Sequence, residues 1–228
     1  MTELELERIE KAKQEFISIW KNRVHMEGAD ELLDYLCKSS FFSDPASCSH
    51  HLAEPAGLVR HSLGVYHRLR SLMIHESETG TLDDDTEEEV ALSALCHDLC
   101  KIGCFKSVVK NKRVYTPEVV EAVSAREPWK VKTDEQGSYV WQSVPGYAYE
   151  DPRVLGIHGD VSCAMVSYYL KPSPRLIEIQ RAIRFHMSSF QEGEARQASA
   201  AFQKSKLALL LHLSDMLASF LDESRDSN

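Results

Sequence analysis

The sequence predicts a mainly α protein with a small β-hairpin insertion. Apolar residues recur at three- and four-residue spacing through most of the 228 residues. One stretch, 107–153, instead alternates in side-chain type around polar turns. Helix-capping residues stand just before several of the periodic runs. The length suits one domain with a sizeable core, read as 1–228, with N-terminal helices over 1–45 and a frayed tail over 222–228.

The first helix is expected from about Thr2 to Val24. Thr2 with Glu5 fits a capping box, and Ile9, Ala12, Phe16, Ile19 or Trp20, and Val24 form an amphipathic stripe. A second helix follows Asp30, with Leu32, Leu33 and Leu36. After an irregular stretch from Asp44 to Gly57, a third carries Leu58, His61, Val65, Leu69 and Leu72. The acidic run Asp83 to Glu89 leads into a fourth, starting near Thr86 with a Thr86–Glu89 capping box. Its apolar stretch, Ala91 to Lys101, reads as one continuous helix containing His97-Asp98.

Within the insertion, Trp129–Thr133 and Ser138–Gln142 flank Asp134-Glu135-Gln136-Gly137, which predicts a hairpin with a four-residue loop. Pro145-Gly146 predicts a further turn. Helical pattern then resumes, with Asp160 as a cap before Val161, Met165, Val166 and Tyr169. Ser173-Pro174 open the next helix as N-cap and N1, ahead of Leu176, Ile179, Ile183 and His186. Polar residues Gln191 to Ala200 connect it to a last helix, Lys204 to about Leu221.

The bulk numbers bound the function. Hydrophobic residues make up 43% and charged residues 27%, as in ordinary globular proteins, and no apolar run approaches a membrane span. Met1 to Glu7 is acidic and lacks the order of a signal peptide. Six scattered cysteines without a Cys-x-x-Cys pattern point to reduced thiols and a cytoplasmic location. Cys96, Cys100 and Cys104 would share one face of a continued helix, and read as small buried hydrophobes rather than ligands. A net charge of −9 argues against broad binding to duplex nucleic acid.

Asp98 falls four residues after Ala94 and eight after Val90, on a core-facing stripe where a carboxylate is costly without a positive partner. His61, His186 and Asp215 occupy apolar stripes in the same way, and His158 precedes a helix start. Singly, a core histidine is ordinarily a hydrogen-bonded residue, and a core aspartate ordinarily caps or pairs. Together, His61, His97, Asp98, His158, His186 and Asp215 come from five separate segments. Imidazole with carboxylate suits Fe, Mn, Co, Ni or Zn, and six ligands exceed one closed zinc site.

The order His61 … His97-Asp98 … Asp215 resembles the HD-domain superfamily of metal-dependent phosphohydrolases. His158 and His186 match the extra histidines of its two-metal members, and Lys101 in His-Asp-x-x-Lys matches a lysine common there. The likeness covers roughly Ala46 to Phe220. The lead-in from Ala46 to Leu58 also resembles HD domains of bacterial 3′-to-5′ exoribonucleases, with Ala56-Gly57 where paired glycines are usual. The nucleic-acid-binding barrel of those enzymes has no room here, and the Gly-Tyr-Pro motif of cyclic-di-GMP phosphodiesterases is missing.

The resemblance implies an HD-domain helical bundle with one or two divalent transition metals at its centre, Mg also being compatible. His61, His97, Asp98 and Asp215 would hold the first, and Asp98, His158 and His186 the second, with Asp98 bridging. The implied reaction is hydrolysis of a phosphomonoester or phosphodiester by metal-activated hydroxide, on a nucleotide or short oligonucleotide. Asp98 and Lys101 are the catalytic candidates, Lys101 as a point charge for a phosphate oxygen. His51 and Arg184 are candidate substrate contacts. His25, His50, His67, His75 and His212 read as structural or surface residues. Trp129, Tyr139, Trp141, Tyr147 and Tyr149 either pack within the insertion or stack on a base. Two other classes compete: a mixed-valent di-iron oxygenase on the same ligands, and a non-catalytic sensor or binding module.

Overall fold

The computed structural model describes residues 2–49, 52–150, 158–187 and 194–223. The protein is mainly α with a small antiparallel three-stranded sheet. It forms two compact units, one made of the segments up to Phe105 and from Tyr149 onward, the other of Lys106–Ala148. The insertion expected over 107–153 compares with this second unit; Tyr149 and Glu150 belong to the first, and 151–153 lie outside the described residues.

In the helical unit, α1 spans Glu3–Arg23. Thr2 caps it, accepting the Glu5 N–H at 3.2 Å while Glu5 accepts the Thr2 N–H at 2.6 Å. Ala12, Phe16 and Trp20 form its buried stripe. Helix α2, Ala29–Lys38, starts one residue before Asp30, because Gly28 takes up the left-handed backbone (φ 97°) ahead of it. Helix α3, Gly57–His75, is buried on most of its circumference and packs on α4 (Asp84–Cys96), α1 and α9 (Lys206–Leu217). Helix α7 (Pro174–Phe185) packs on α4, α9 and α6 (His158–Tyr169). Ser173 caps α7 as expected, accepting the Leu176 N–H at 3.0 Å.

Further boundaries differ from the sequence reading, each for a local reason. Helix α4 is capped by Asp83, not Thr86: its carboxylate accepts the Thr86 N–H at 2.7 Å, so the acidic run forms the first turn itself. Helix α6 begins at His158, which puts Asp160 inside its first turn. Most of the expected connection is a helix, α8 (Ala195–Lys204), whose alanines have high helix propensity and bury Ala198 and Ala201. Helix α9 starts at Lys206 after its Ser205 cap and ends in a π turn, Ala218–Asp222. Of the tail expected to fray over 222–228, the first two residues are held, Asp222 by a two-bond ion pair with Arg68 and Glu223 by burial, and 224–228 lie outside the described residues.

In the second unit, the strand order is β1 (Phe105–Val114), β3 (Gly137–Tyr149), β2 (Lys132–Asp134), with α5 (Pro117–Ser124) between β1 and β2 in sequence. Lys132 pairs with Tyr139, Thr133 with Ser138 and Asp134 with Gly137. The hairpin loop is therefore Glu135-Gln136, two residues and not four. Pro128 opens a 3-10 turn holding Trp129, which shortens the first strand. The turn expected at Pro145-Gly146 is absent, and β3 runs through it.

Candidate metal centre

The continuous helix expected through His97-Asp98 breaks at that pair. Helix α4 ends at Cys96, His97 is its C-cap, and Asp98 (φ −112°, ψ 22°) leads into a 3-10 turn, Leu99–Lys101. The break turns both side chains inward. His186 is the C-cap of α7, so two of the candidate ligands end helices in the same manner. Each donates its Nδ1–H to the carbonyl three residues back, His97 to Ala94 at 2.8 Å and His186 to Ile183 at 2.6 Å. A helix terminus has carbonyls needing donors, and an imidazole there satisfies one while its Nε2 points away. His61, on α3, donates Nδ1–H to Glu223 Oε1 at 2.8 Å.

His97 and His186 thus carry a proton on Nδ1, where the carbonyls require one, and all three rings turn Nε2 toward one place. His61 Nε2 lies 3.1 Å from His97 Nε2 and 3.2 Å from Asp215 Oδ1 on α9. Asp98 Oδ2 lies 3.4 Å from His97 Nε2 and 3.6 Å from His61 Nε2, and Asp98 Oδ1 lies 3.6 Å from His186 Nε2. His97, His186, His61, Asp98 and Asp215 are all buried. Asp98 Oδ1 and His186 Nε2 have no hydrogen-bond partner. Facing lone pairs and buried carboxylate oxygens repel unless something positive sits between them. The pattern of an imidazole whose far N–H is held by a carbonyl or carboxylate is that of metal-ligating histidine. Two groups, His61/His97/Asp215 and His97/Asp98/His186, bring one ligand atom from each residue within 4.8 Å of one another, so each could hold a metal ion.

His158 joins a third such group, with Asp98 and Cys100. A Cβ on its neighbour Gly159 would stand 2.3 Å from the Arg184 carbonyl oxygen, so only glycine lets α6 begin this close to α7. Cys96, Cys100 and Cys104 are all buried, although no continued helix aligns them.

The charges answer one another. Burial pushes the Asp98 carboxyl up, but Lys101 and then His97 outweigh it and hold it well below the usual carboxylate range. Burial pulls the His61 imidazolium down, and Asp215 and Glu223 override it and raise it to about 10. Burial lowers His158. A metal would replace the protons that otherwise reconcile these groups.

Lys101, expected as a point charge for a phosphate oxygen, has its Nζ 2.6 Å from Asp98 Oδ2, where it gives the buried carboxylate a cation. Arg184 was expected to contact substrate. Its guanidinium pairs with Asp160 and makes two bonds to Glu194, at 2.6 and 2.8 Å, tying α6 and α8 to α7. His51 lies outside the described residues.

One supporting residue escaped the sequence reading: Glu223 falls in the segment expected to fray, and nothing in the sequence pattern marks the π turn that brings it in. His212, expected as a structural or surface residue, is a structural one: it is buried, and its Nδ1–H donates to the His186 carbonyl at 2.5 Å.

Compared with protein-family models, with curated proteins and with solved structures, the chain finds no match in any of the three. No helix among the described residues is long and apolar enough to cross a membrane.

Proposed function

We propose that the chain is a metal-dependent phosphohydrolase of the HD-domain type, acting on a nucleotide-like phosphate ester. The observation that carries this is the convergence of three imidazole Nε2 atoms with the Asp98 and Asp215 carboxylates, with the Lys101 ammonium alongside. His61, His97, Asp98 and Asp215 would hold a first ion, and Asp98, His158 and His186 a second. Divalent ions bound there supply an activated water and charge stabilisation for phosphoryl transfer.

The residues themselves do three things. Ala94, Ile183 and Glu223 hold the three Nδ1 atoms, so the rings keep Nε2 aimed at the metal positions without reorganising. The burial of His61, His97, Asp98, His186 and Asp215 keeps the local dielectric low. Lys101, nearly buried, keeps a fixed positive charge beside Asp98, where it meets an anionic substrate as a point charge. The free cysteines fit a reducing, cytoplasmic setting.

The test is hydrolysis of phosphomonoesters, cyclic nucleotides and short oligonucleotides by protein loaded separately with Mn, Co, Ni, Fe, Zn and Mg. Turnover of at least one ester, lost in Asp98→Ala, is expected. No turnover with any combination overturns the proposal.

A further inference from the structure

Cys100 is buried in the 3-10 turn two residues after Asp98. Its Sγ, a carboxylate oxygen of Asp98 and a ring nitrogen of His158 all lie within 4.8 Å of one another. Ligand atoms bound at about 2.0–2.3 Å to one tetrahedral ion stand roughly 3–4 Å apart, so closing this triangle needs only small side-chain movements.

The backbone fixes the arrangement. The Cys100 N–H donates to Ser162 Oγ at 3.1 Å, and Ser162 is fully buried. Ser162 lies one helical turn after His158 on α6, so the bond that locks the Cys100 loop also sets it against the His158 face. Two polar atoms there are buried without a hydrogen-bond partner, Asp98 Oδ1 and His158 Nδ1. Cys96 and Cys104, equally buried, belong to no such group among the described residues.

We propose that Cys100 is a thiolate ligand which, with Asp98 and His158, binds a borderline-soft divalent cation such as Zn²⁺, Fe²⁺ or Co²⁺. The proposal rests on the cluster being a metal centre, but not on its reaction. Sulfur in the set selects against Mg²⁺, which takes hard oxygen ligands. On binding, the thiol releases its proton to solvent as the metal–sulfur bond forms.

Titration of the reduced full chain with Co²⁺ tests it. Visible ligand-field bands report cobalt on the histidine–carboxylate cluster, and near-ultraviolet sulfur-to-cobalt charge transfer reports the cysteine. Wild type and Cys104→Ser are expected to show both. Cys100→Ser, with folding checked by circular dichroism, is expected to keep the visible bands and lose the charge transfer. Zinc-edge X-ray absorption of the wild type, independent of any variant, is expected to show a sulfur neighbour at about 2.3 Å. Visible bands without charge transfer, or charge transfer that survives in Cys100→Ser, overturns the assignment of Cys100 alone. No cobalt bands at all overturns it together with the metal centre.

Discussion

Glu223 Oε1 accepts the Nδ1–H of His61 at 2.8 Å, and both side chains are buried. The π turn makes this contact. At roughly 100° per residue, an unbroken α-helix would carry Glu223 about 80° off the Asp215 face. The wider turn, in which the Glu223 N–H reaches the Ala218 carbonyl at 3.0 Å, takes back that rotation. One helix end thereby supplies carboxylates to both nitrogens of His61. Glu223→Ala is expected to weaken metal binding about 10- to 100-fold, and Glu223→Gln less, since its amide oxygen still accepts the bond. Calorimetric titration with Zn²⁺ or Mn²⁺ measures this; an unchanged affinity in both variants contradicts the assigned role.

Lys101 and Asp98 form a buried ion pair whose cost depends on what else is bound. In metal-free protein, Lys101→Met leaves a buried carboxylate without its ammonium, a loss of about 3 kcal/mol. With metal bound to Asp98, the same change is expected to cost distinctly less. Urea unfolding with and without metal gives the comparison, and equal losses in both would show that Asp98 does not bind the ion.

Much of this centre is legible in the sequence. His61, His186 and Asp215 are polar residues on apolar stripes, and helical periodicity alone placed them inward. The break at His97-Asp98 was not legible, because Leu95, Cys96, Leu99 and Cys100 continue the apolar pattern across it. Glu223 was hidden because a π turn shifts the facing of every later residue and leaves no mark in the pattern. Lys101 was placed near the site, but its pairing with Asp98 follows from burial, which spacing does not report. In the second unit, alternation located β3 and missed β1, whose sequence Phe105–Val114 is dense in lysine and exposed.

Ala56 precedes α3 with φ 62° and ψ 12°, a left-handed backbone that costs a residue with a Cβ. Its neighbour Gly57 cannot change, since a Cβ there would lie 2.1 Å from the Leu52 carbonyl oxygen. Ala56→Gly is expected to stabilise the protein by roughly 0.5–1 kcal/mol, and Gly57→Ala to destabilise it by more than that. Urea midpoints decide; destabilisation by Ala56→Gly would contradict the backbone described at the start of the helix that positions His61.

The central claim is that the buried histidines and aspartates form a metal centre. Its most direct test is the metal content of the purified, dialysed protein by inductively coupled plasma mass spectrometry, beside Asp98→Ala. One or two equivalents of a divalent transition metal per wild-type chain are expected, with loss of most or all of it in the variant. Wild-type protein that holds no metal after incubation with Zn, Mn, Fe, Co or Ni would contradict the claim.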